Sequence, residues 1–85
     1  MSKKDVVFHC KEETLMKAIA MVIQISSNFD SSIFIEKDGR RANAKSLLGV
    51  LSLGIEQGDY LILTAEGDDE EEALEKLGRY ITDDE

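Results

Sequence analysis

The sequence predicts a two-layer α+β domain in which antiparallel strands form a sheet and helices cover one face. Segments of alternating apolar and polar residues, as in strands, are interspersed with segments whose apolar residues recur at helical spacing. Their order is strand, helix, strand, strand, short helix, strand, helix. An Asp-Gly dipeptide between the second and third strands favours a tight antiparallel hairpin. Antiparallel pairing with helices on one side gives two layers.

Length and composition are those of one small globular domain, residues 1–85. The 18 acidic and 10 basic side chains give a formal net charge of −8, which argues against direct binding of nucleic acid. A single cysteine, Cys10, excludes an internal disulfide and suits a reducing compartment. There is no apolar run long enough for a membrane span and no signal-peptide core. These features predict a cytoplasmic protein without a membrane partner.

The first strand is predicted over Lys4 to Cys10, where Val6, Phe8 and Cys10 share one face. His9, the only histidine, falls on the opposite face of that strand. No second ligand residue lies at metal-binding spacing from it, so no metal site is predicted there.

The first helix is predicted from Leu15 to about Asn28, with Thr14 as its cap. Its core stripe consists of Leu15, Ile19, Val22, Ile23 and Ser26. Three residues, Lys17, Ala20 and Gln24, lie roughly opposite. Further apolar residues flank the stripe, so the sequence is compatible with either a monomer or a weak homodimer.

Three further strands are predicted at Asp30 to Glu36, Arg40 to Asn43 and Tyr60 to Glu66. The last is the most apolar and should be central in the sheet.

The acidic run from Glu66 to Glu72 is interpreted as the start of a helix, with Asp68 or Asp69 as its cap, because it lacks the ligand spacing of a calcium loop. The buried stripe of this helix is predicted to be Ala73, Leu74, Leu77 and Ile81. Its predicted i,i+4 ion pairs are Glu72–Lys76 and Glu75–Arg79.

The segment from Asn43 to Gly54 reads NAKSLLGVLSLG and predicts a short helix, roughly Leu47 to Ser52. Ser46 should be its N-cap, because a serine hydroxyl accepts a backbone N–H that the first turn leaves unpaired. So short a helix cannot bury all its apolar residues on one face. Leu47, Leu48 and Leu51 are therefore expected to face outward, with Val50 and Leu53 in the core.

This segment resembles the regulatory-serine segment of the HPr family, the small phosphocarriers of the bacterial sugar phosphotransferase system. The resemblance continues through SNFDSSIFIEKDGR before it and GIEQGDYLILTAEGDDEEEALEKL after it, without a gap, over nearly the whole chain. It implies an open-faced sandwich of four strands and three helices. The EKDG–NAKS pairing and the EALEKL tail are most similar to the catabolite-repression branch of the family.

The chain departs from the family at the phosphoryl-acceptor motif. Where the family has Gly-x-His-Ala-Arg-Pro, this chain has Leu15 at the histidine, Lys17 at the arginine and Ala18 at the proline. Leucine has no nucleophilic atom, so a phosphohistidine cannot form at this position. Lys17 keeps a positive charge but lacks the planar fork of arginine. The resemblance therefore implies a protein that has lost the sugar-transport role.

What remains by resemblance is a regulatory binding protein without enzymatic activity or cofactor. Ser46 would be phosphorylated by the bifunctional HPr kinase/phosphorylase. The product would act as corepressor of the LacI-type catabolite control repressor. Leu47, Leu48 and Leu51, bordered by Lys17, Ala20 and Gln24, would contact the partner.

Two alternatives remain open from the sequence. One is a degenerate paralogue that docks on a metabolic enzyme without phosphorylation. The other, from a different class, is a small-molecule-sensing βαββαβ regulatory domain. It would need a ligand pocket, for which the sequence offers no convergent set of polar residues.

Overall fold

A computed structural model describes residues 1–82 and has the predicted two-layer α+β architecture. The strands are β1 (Ser2–Val7), β2 (Ser32–Lys37), β3 (Arg40–Asn43) and β4 (Tyr60–Glu66). The helices are α1 (Leu15–Ser27), α2 (Leu47–Ser52) and α3 (Glu70–Thr82), and a 3-10 turn (Glu12–Thr14) precedes α1. The four strands form one antiparallel sheet in the order β1-β4-β2-β3, which confirms a central position for β4.

The core lies between the sheet and the helices. Every apolar residue of the predicted α3 stripe is buried, and Ile19, Val22 and Ser26 are buried on α1. Leu15 and Ile23, at the edges of the α1 stripe, are half-buried. On β4 the residues with odd numbers, Leu61, Leu63 and Ala65, are fully enclosed, as alternation predicts for a strand with one face in the core.

The hairpin between β2 and β3 forms at the predicted Asp-Gly turn. Lys37 pairs directly with Arg40, which leaves two residues in the turn. Asp38 and Gly39 have φ angles of 52° and 82°, the left-handed conformations of a primed two-residue turn.

The first strand ends earlier than predicted, and His9 does not lie on a strand. The partner strand β4 begins at Tyr60, which pairs with Val7, so residues 8–10 have no strand beside them. Phe8 is nevertheless buried, and His9 donates its N–H to the carbonyl of Ile81 at the end of α3. Because the inward and outward alternation continues past the last ladder pair, the sequence alone could not show where the strand ends.

The beginnings of two helices also differ from prediction. The Thr14 hydroxyl does not cap α1, because it donates instead to the carbonyl of Lys11 in the preceding 3-10 turn. Asp69 does precede α3, but its carboxylate accepts the N–H groups of Asp30 at 2.9 Å and Ser31 at 3.0 Å. Those bonds hold residues 30 and 31 out of the sheet, so β2 begins at Ser32 and not at Asp30.

One of the two predicted i,i+4 pairs on α3 is present. The Arg79 guanidinium lies 3.5 Å from the Glu75 carboxylate. Within the described part of the chain, no ion pair joins Glu72 to Lys76.

Acid should weaken the fold through Asp59. The Lys37 ammonium lies 2.8 Å from this carboxylate, and the hydrogen bond between them, together with one from the Glu56 N–H, lowers the pKa of Asp59. A carboxylate whose pKa is depressed on folding stabilises the fold above its unfolded pKa of about 3.9, and this stabilisation is lost as pH falls through the folded value. We expect Asp59→Asn to show a shallower loss of stability between about pH 5 and pH 2 than the parent. Urea unfolding at a series of pH values measures this, and parallel curves for the two proteins would contradict it.

Candidate functional site

The predicted cap of α2 is present in the structure. Ser46 has an extended backbone, and its Oγ accepts the N–H of Gly49 at 3.2 Å. Its carbonyl accepts the N–H of Val50 at 2.9 Å, which closes the first helical turn. A Cβ atom at position 49 would lie 3.3 Å from the Ser46 Oγ, so glycine leaves room for the capping hydroxyl. The serine is only half-buried, and it lies at the N-terminal end of the helix.

Three leucines of α2 face solvent, as predicted. Leu47 is 47%, Leu48 80% and Leu51 39% exposed. Val50 and Leu53 are buried in the core. The three exposed side chains are called the leucine surface below.

Met16, which was not among the residues predicted for the site, extends the apolar area beside the leucine surface. Its side chain is 60% exposed, and it lines a concavity of about 240 Å³ between α1 and α2 together with Leu15, Ile19 and Leu51. Met16 follows directly after the core residue Leu15, so it lies about 100° around the helix from the core face. That angle could have indicated an exposed apolar residue, but not that α2 lies next to it.

The other predicted partner-binding residues lie on the surface of α1. Lys17, Ala20 and Gln24 are all exposed. Lys17 lines a different concavity, of about 470 Å³, together with Cys10 and Tyr80. The structure therefore shows Met16 and Leu15 beside α2, while the contribution of Lys17, Ala20 and Gln24 to partner binding remains a prediction.

Cys10 is not arranged as a nucleophile. Burial raises the pKa of its thiol, which disfavours the thiolate that nucleophilic chemistry requires. Burial, and then the neighbouring Cys10, raise the pKa of Tyr80. Both groups therefore stay protonated at neutral pH.

Lys45, next to Ser46 in the chain, makes its hydrogen bonds to other residues. Its Nζ donates to the carbonyl of Phe29 at 2.7 Å, and its backbone N–H donates to the Asn43 Oδ1 at 2.8 Å. These bonds fix the approach of the chain to the helix, and the Ser46 hydroxyl oxygen bonds only to its own helix among the contacts of residues 1–82.

No three His, Cys, Asp or Glu side chains in residues 1–82 are grouped so as to hold a metal ion. None of the helices in that range is both long and apolar enough to cross a bilayer.

The site is thus a capping serine beside an exposed apolar surface on a two-layer α+β fold. Comparison with known proteins identifies the family of the chain. The chain belongs to the HPr family: the family model described as the PTS HPr component phosphorylation site matches residues 2–83. Among curated proteins it is similar to the HPr-like protein Crh of Bacillus subtilis (strain 168), with 40% identity over 81 residues. That match covers 95% of this chain and 95% of the relative.

Solved structures give the same fold. The crystal structure of HPr-C-His from Thermoanaerobacter tengcongensis is 41% identical and has a TM-score of 0.91, covering 95% of this chain and 91% of that one. The crystal structure of Bacillus subtilis Crh, described as an intertwined dimer with a swapping domain, is 38% identical with a TM-score of 0.72. That match covers 89% of this chain and 83% of the other.

Proposed function

We propose that this protein is an HPr-like cytoplasmic regulator, switched by phosphorylation of Ser46 by HPr kinase/phosphorylase and acting as corepressor of the LacI-type catabolite control repressor. The observation that supports the proposal best is the juxtaposition of Ser46 with the leucine surface at one end of α2. The similarity to Crh proteins supports a regulatory role. The protein acts by binding and not by catalysis.

Phosphorylation would add about −1.5 to −2 charges and three acceptor oxygens beside the leucines. A basic pocket on the partner can then bind the phosphate through charge-assisted hydrogen bonds, which provide selectivity. The leucines provide apolar area that becomes buried in the complex. A soluble chain rarely leaves such an area uncovered without a partner.

The chain should accept phosphate on serine and not on histidine. With HPr kinase/phosphorylase and ATP, intact-mass measurement is expected to show the addition of one phosphate, abolished in Ser46→Ala. With labelled phosphoenolpyruvate and the general phosphotransferase enzyme that charges HPr, the chain should stay unlabelled, because Leu15 stands at the acceptor position. Ser52→Ala is the matched control for the first arm, since Ser52 lies on the same helix with its hydroxyl bonded to the Gly49 carbonyl. Acid-labile phosphate on His9 would contradict the second arm.

Leu47→Ala should weaken partner binding with little effect on folding. The side chain is 47% exposed, so its truncation leaves little cavity, whereas a leucine buried in the complex contributes on the order of 1–2 kcal/mol to binding. Titration calorimetry and urea unfolding measure the two effects. Val7→Ala is the control, because Val7 is 41% exposed on the edge strand β1. A destabilisation above about 2.5 kcal/mol would show that Leu47 belongs to the core.

We further propose that the protein is a monomer in exchange with a weak homodimer. The Crh crystal structure is described as a swapped dimer, and β1 here is an edge strand whose connection to α1 includes the exposed residues Lys11, Glu12 and Glu13. An edge strand with an exposed segment in its connection is an element that two copies can exchange. Light scattering over a range of concentrations measures the state, and a constant monomer mass would rule the dimer out.

A further inference from the structure

We propose that Lys37 and Arg40, which flank the turn between β2 and β3, are positioning residues that clamp the C-terminal end of α2 and so set the direction in which the leucine surface meets a partner. The proposed function supplies the partner, but the clamp is a property of the free protein.

The helix that carries the leucine surface needs support from outside itself. It has six residues, far fewer than an isolated helix requires to be stable in water. Val50 is the only buried residue within α2, and Leu53, its C-cap, is the next buried residue along the chain. At the N-terminal end of α2, the Ser46 hydroxyl accepts the N–H of Gly49. At the C-terminal end, the last carbonyls of any helix have no partner within its regular hydrogen-bond pattern.

The hairpin supplies a partner for the last of those carbonyls, that of Ser52, and for the carbonyl of Gly54 just after the helix. Arg40 donates from Nη2 to the carbonyl of Ser52 at 2.6 Å, and Lys37 donates from Nζ to the carbonyl of Gly54 at 2.6 Å. Both groups are cations at the negative end of the helix, where positive charge is favourable. Hydrogen bonds from charged donors are stronger than neutral ones. The two bonds therefore fix the last residue of α2 and the chain two residues beyond it.

Lys37 also fixes the segment that leaves the helix. Its ammonium lies 2.8 Å from the Asp59 carboxylate, which in turn accepts the N–H of Glu56 at 2.7 Å. The bond to Asp59 raises the pKa of Lys37, so the side chain stays charged. The helix end and the turn after it are thereby attached to one side chain of the sheet.

The hairpin is built to direct both side chains toward α2. Lys37 and Arg40 are directly opposite each other in the ladder, and such paired residues point to the same face of a sheet. The next residue, Arg41, points to the other face, where its guanidinium lies 3.9 Å from the centre of the Phe34 ring. Arg41 thus provides a neighbouring arginine on the opposite face of the sheet from the bonds to the helix end.

The test compares Arg40→Gln with the control Arg41→Gln by amide hydrogen exchange of residues 47–53 in the free protein. Loss of one charge-assisted bond should speed exchange in α2 roughly three- to tenfold in Arg40→Gln, with the amides of β4 unchanged. Arg41→Gln should leave α2 unchanged. Arg40→Lys should restore part of the protection, and Lys37→Met should loosen residues 53–56 as well.

The same variants are then phosphorylated and titrated with the repressor, where Arg40→Gln should bind roughly three- to tenfold more weakly than Arg41→Gln. Unchanged α2 exchange in both Arg40→Gln and Lys37→Met would overturn the clamp. Faster exchange with undiminished repressor binding would overturn the claim that the clamp directs the leucine surface. If the phosphorylated parent itself fails to bind while α2 loosens as expected, the clamp stands and the repressor assignment fails.

Discussion

Gly67→Ala is expected to lower the free energy of unfolding by about 2 to 5 kcal/mol, a large part of the stability of so small a domain. A Cβ atom on Gly67 would lie 2.5 Å from the Ser31 Oγ and 2.8 Å from the Ser31 Cα. The second of these atoms is backbone, so no side-chain rotation can relieve the contact. Gly67 also has a φ of 151°, which an L residue rarely adopts.

The cost should exceed steric strain alone, because Gly67, in the connection from β4 to α3, lies beside hydrogen bonds that link the start of β2 to the start of α3. The Ser31 N–H and hydroxyl both donate to the Asp69 carboxylate, and the Gly67 N–H donates to the Glu70 Oε1 at 3.1 Å. Moving Ser31 away from a new methyl group would disturb bonds that fix the starts of both elements. The bond from the Ser31 hydroxyl, followed by those from the N–H groups of Asp30 and Ser31, lowers the pKa of Asp69 and so favours its ionised form.

Urea unfolding of Gly67→Ala, compared with that of Gly58→Ala, separates the steric contact with Ser31 from the conformational cost of a positive φ. Gly58 also has a positive φ, 89°, but a Cβ there would meet nothing within 4 Å. Its replacement should therefore show the conformational cost alone, about 1 kcal/mol. Equal losses in the two variants would mean that contact with Ser31 contributes nothing.

The interior of each element was predictable from sequence, because periodic burial determines it. The α3 stripe and the alternation along β4 follow directly from which residues are apolar. The element ends were less predictable, because they depend on partners distant in the chain. β1 stops because β4 begins at Tyr60, and β2 starts late because Asp69, 38 positions along the chain from Ser31, holds that residue.

The same distinction applies to the candidate site. The Ser46 cap and the outward direction of the leucines follow from local sequence, and the structure confirms both. The regulatory role of Ser46 came from resemblance, since a capping serine by itself is only a structural feature. The neighbouring Met16 and the bonds from Lys37 and Arg40 to α2 were missed. Those bonds span 17 and 12 positions between residues that share no periodic pattern.

Ser46→Ala is expected to abolish the phosphorylation-dependent part of partner binding. Phosphorylated parent should bind the repressor on the order of 10- to 100-fold more tightly than unmodified parent, the gain from one or two hydrogen bonds to a charged group. Ser46→Ala treated with the kinase should bind no better than the unmodified parent. Ser46→Asp should recover only part of the gain, because its carboxylate has one charge and a shorter reach than a phosphate.

The alanine variant alone would be ambiguous, since it also removes the hydroxyl that accepts the Gly49 N–H. Loss of an N-cap costs about 0.5 to 2 kcal/mol of helix stability, and a looser α2 would itself present the leucines less well. Ser46→Asn resolves this, because asparagine is as good a cap as serine but cannot be phosphorylated by a serine kinase. Ser46→Asn should therefore keep the parent's stability and its weak unmodified binding, and gain nothing from the kinase. Calorimetric titration of the repressor with all five proteins measures these differences. Equal affinity for native, phosphorylated and Ser46→Ala protein would remove Ser46 from the mechanism and favour a paralogue that docks on a metabolic enzyme without phosphorylation.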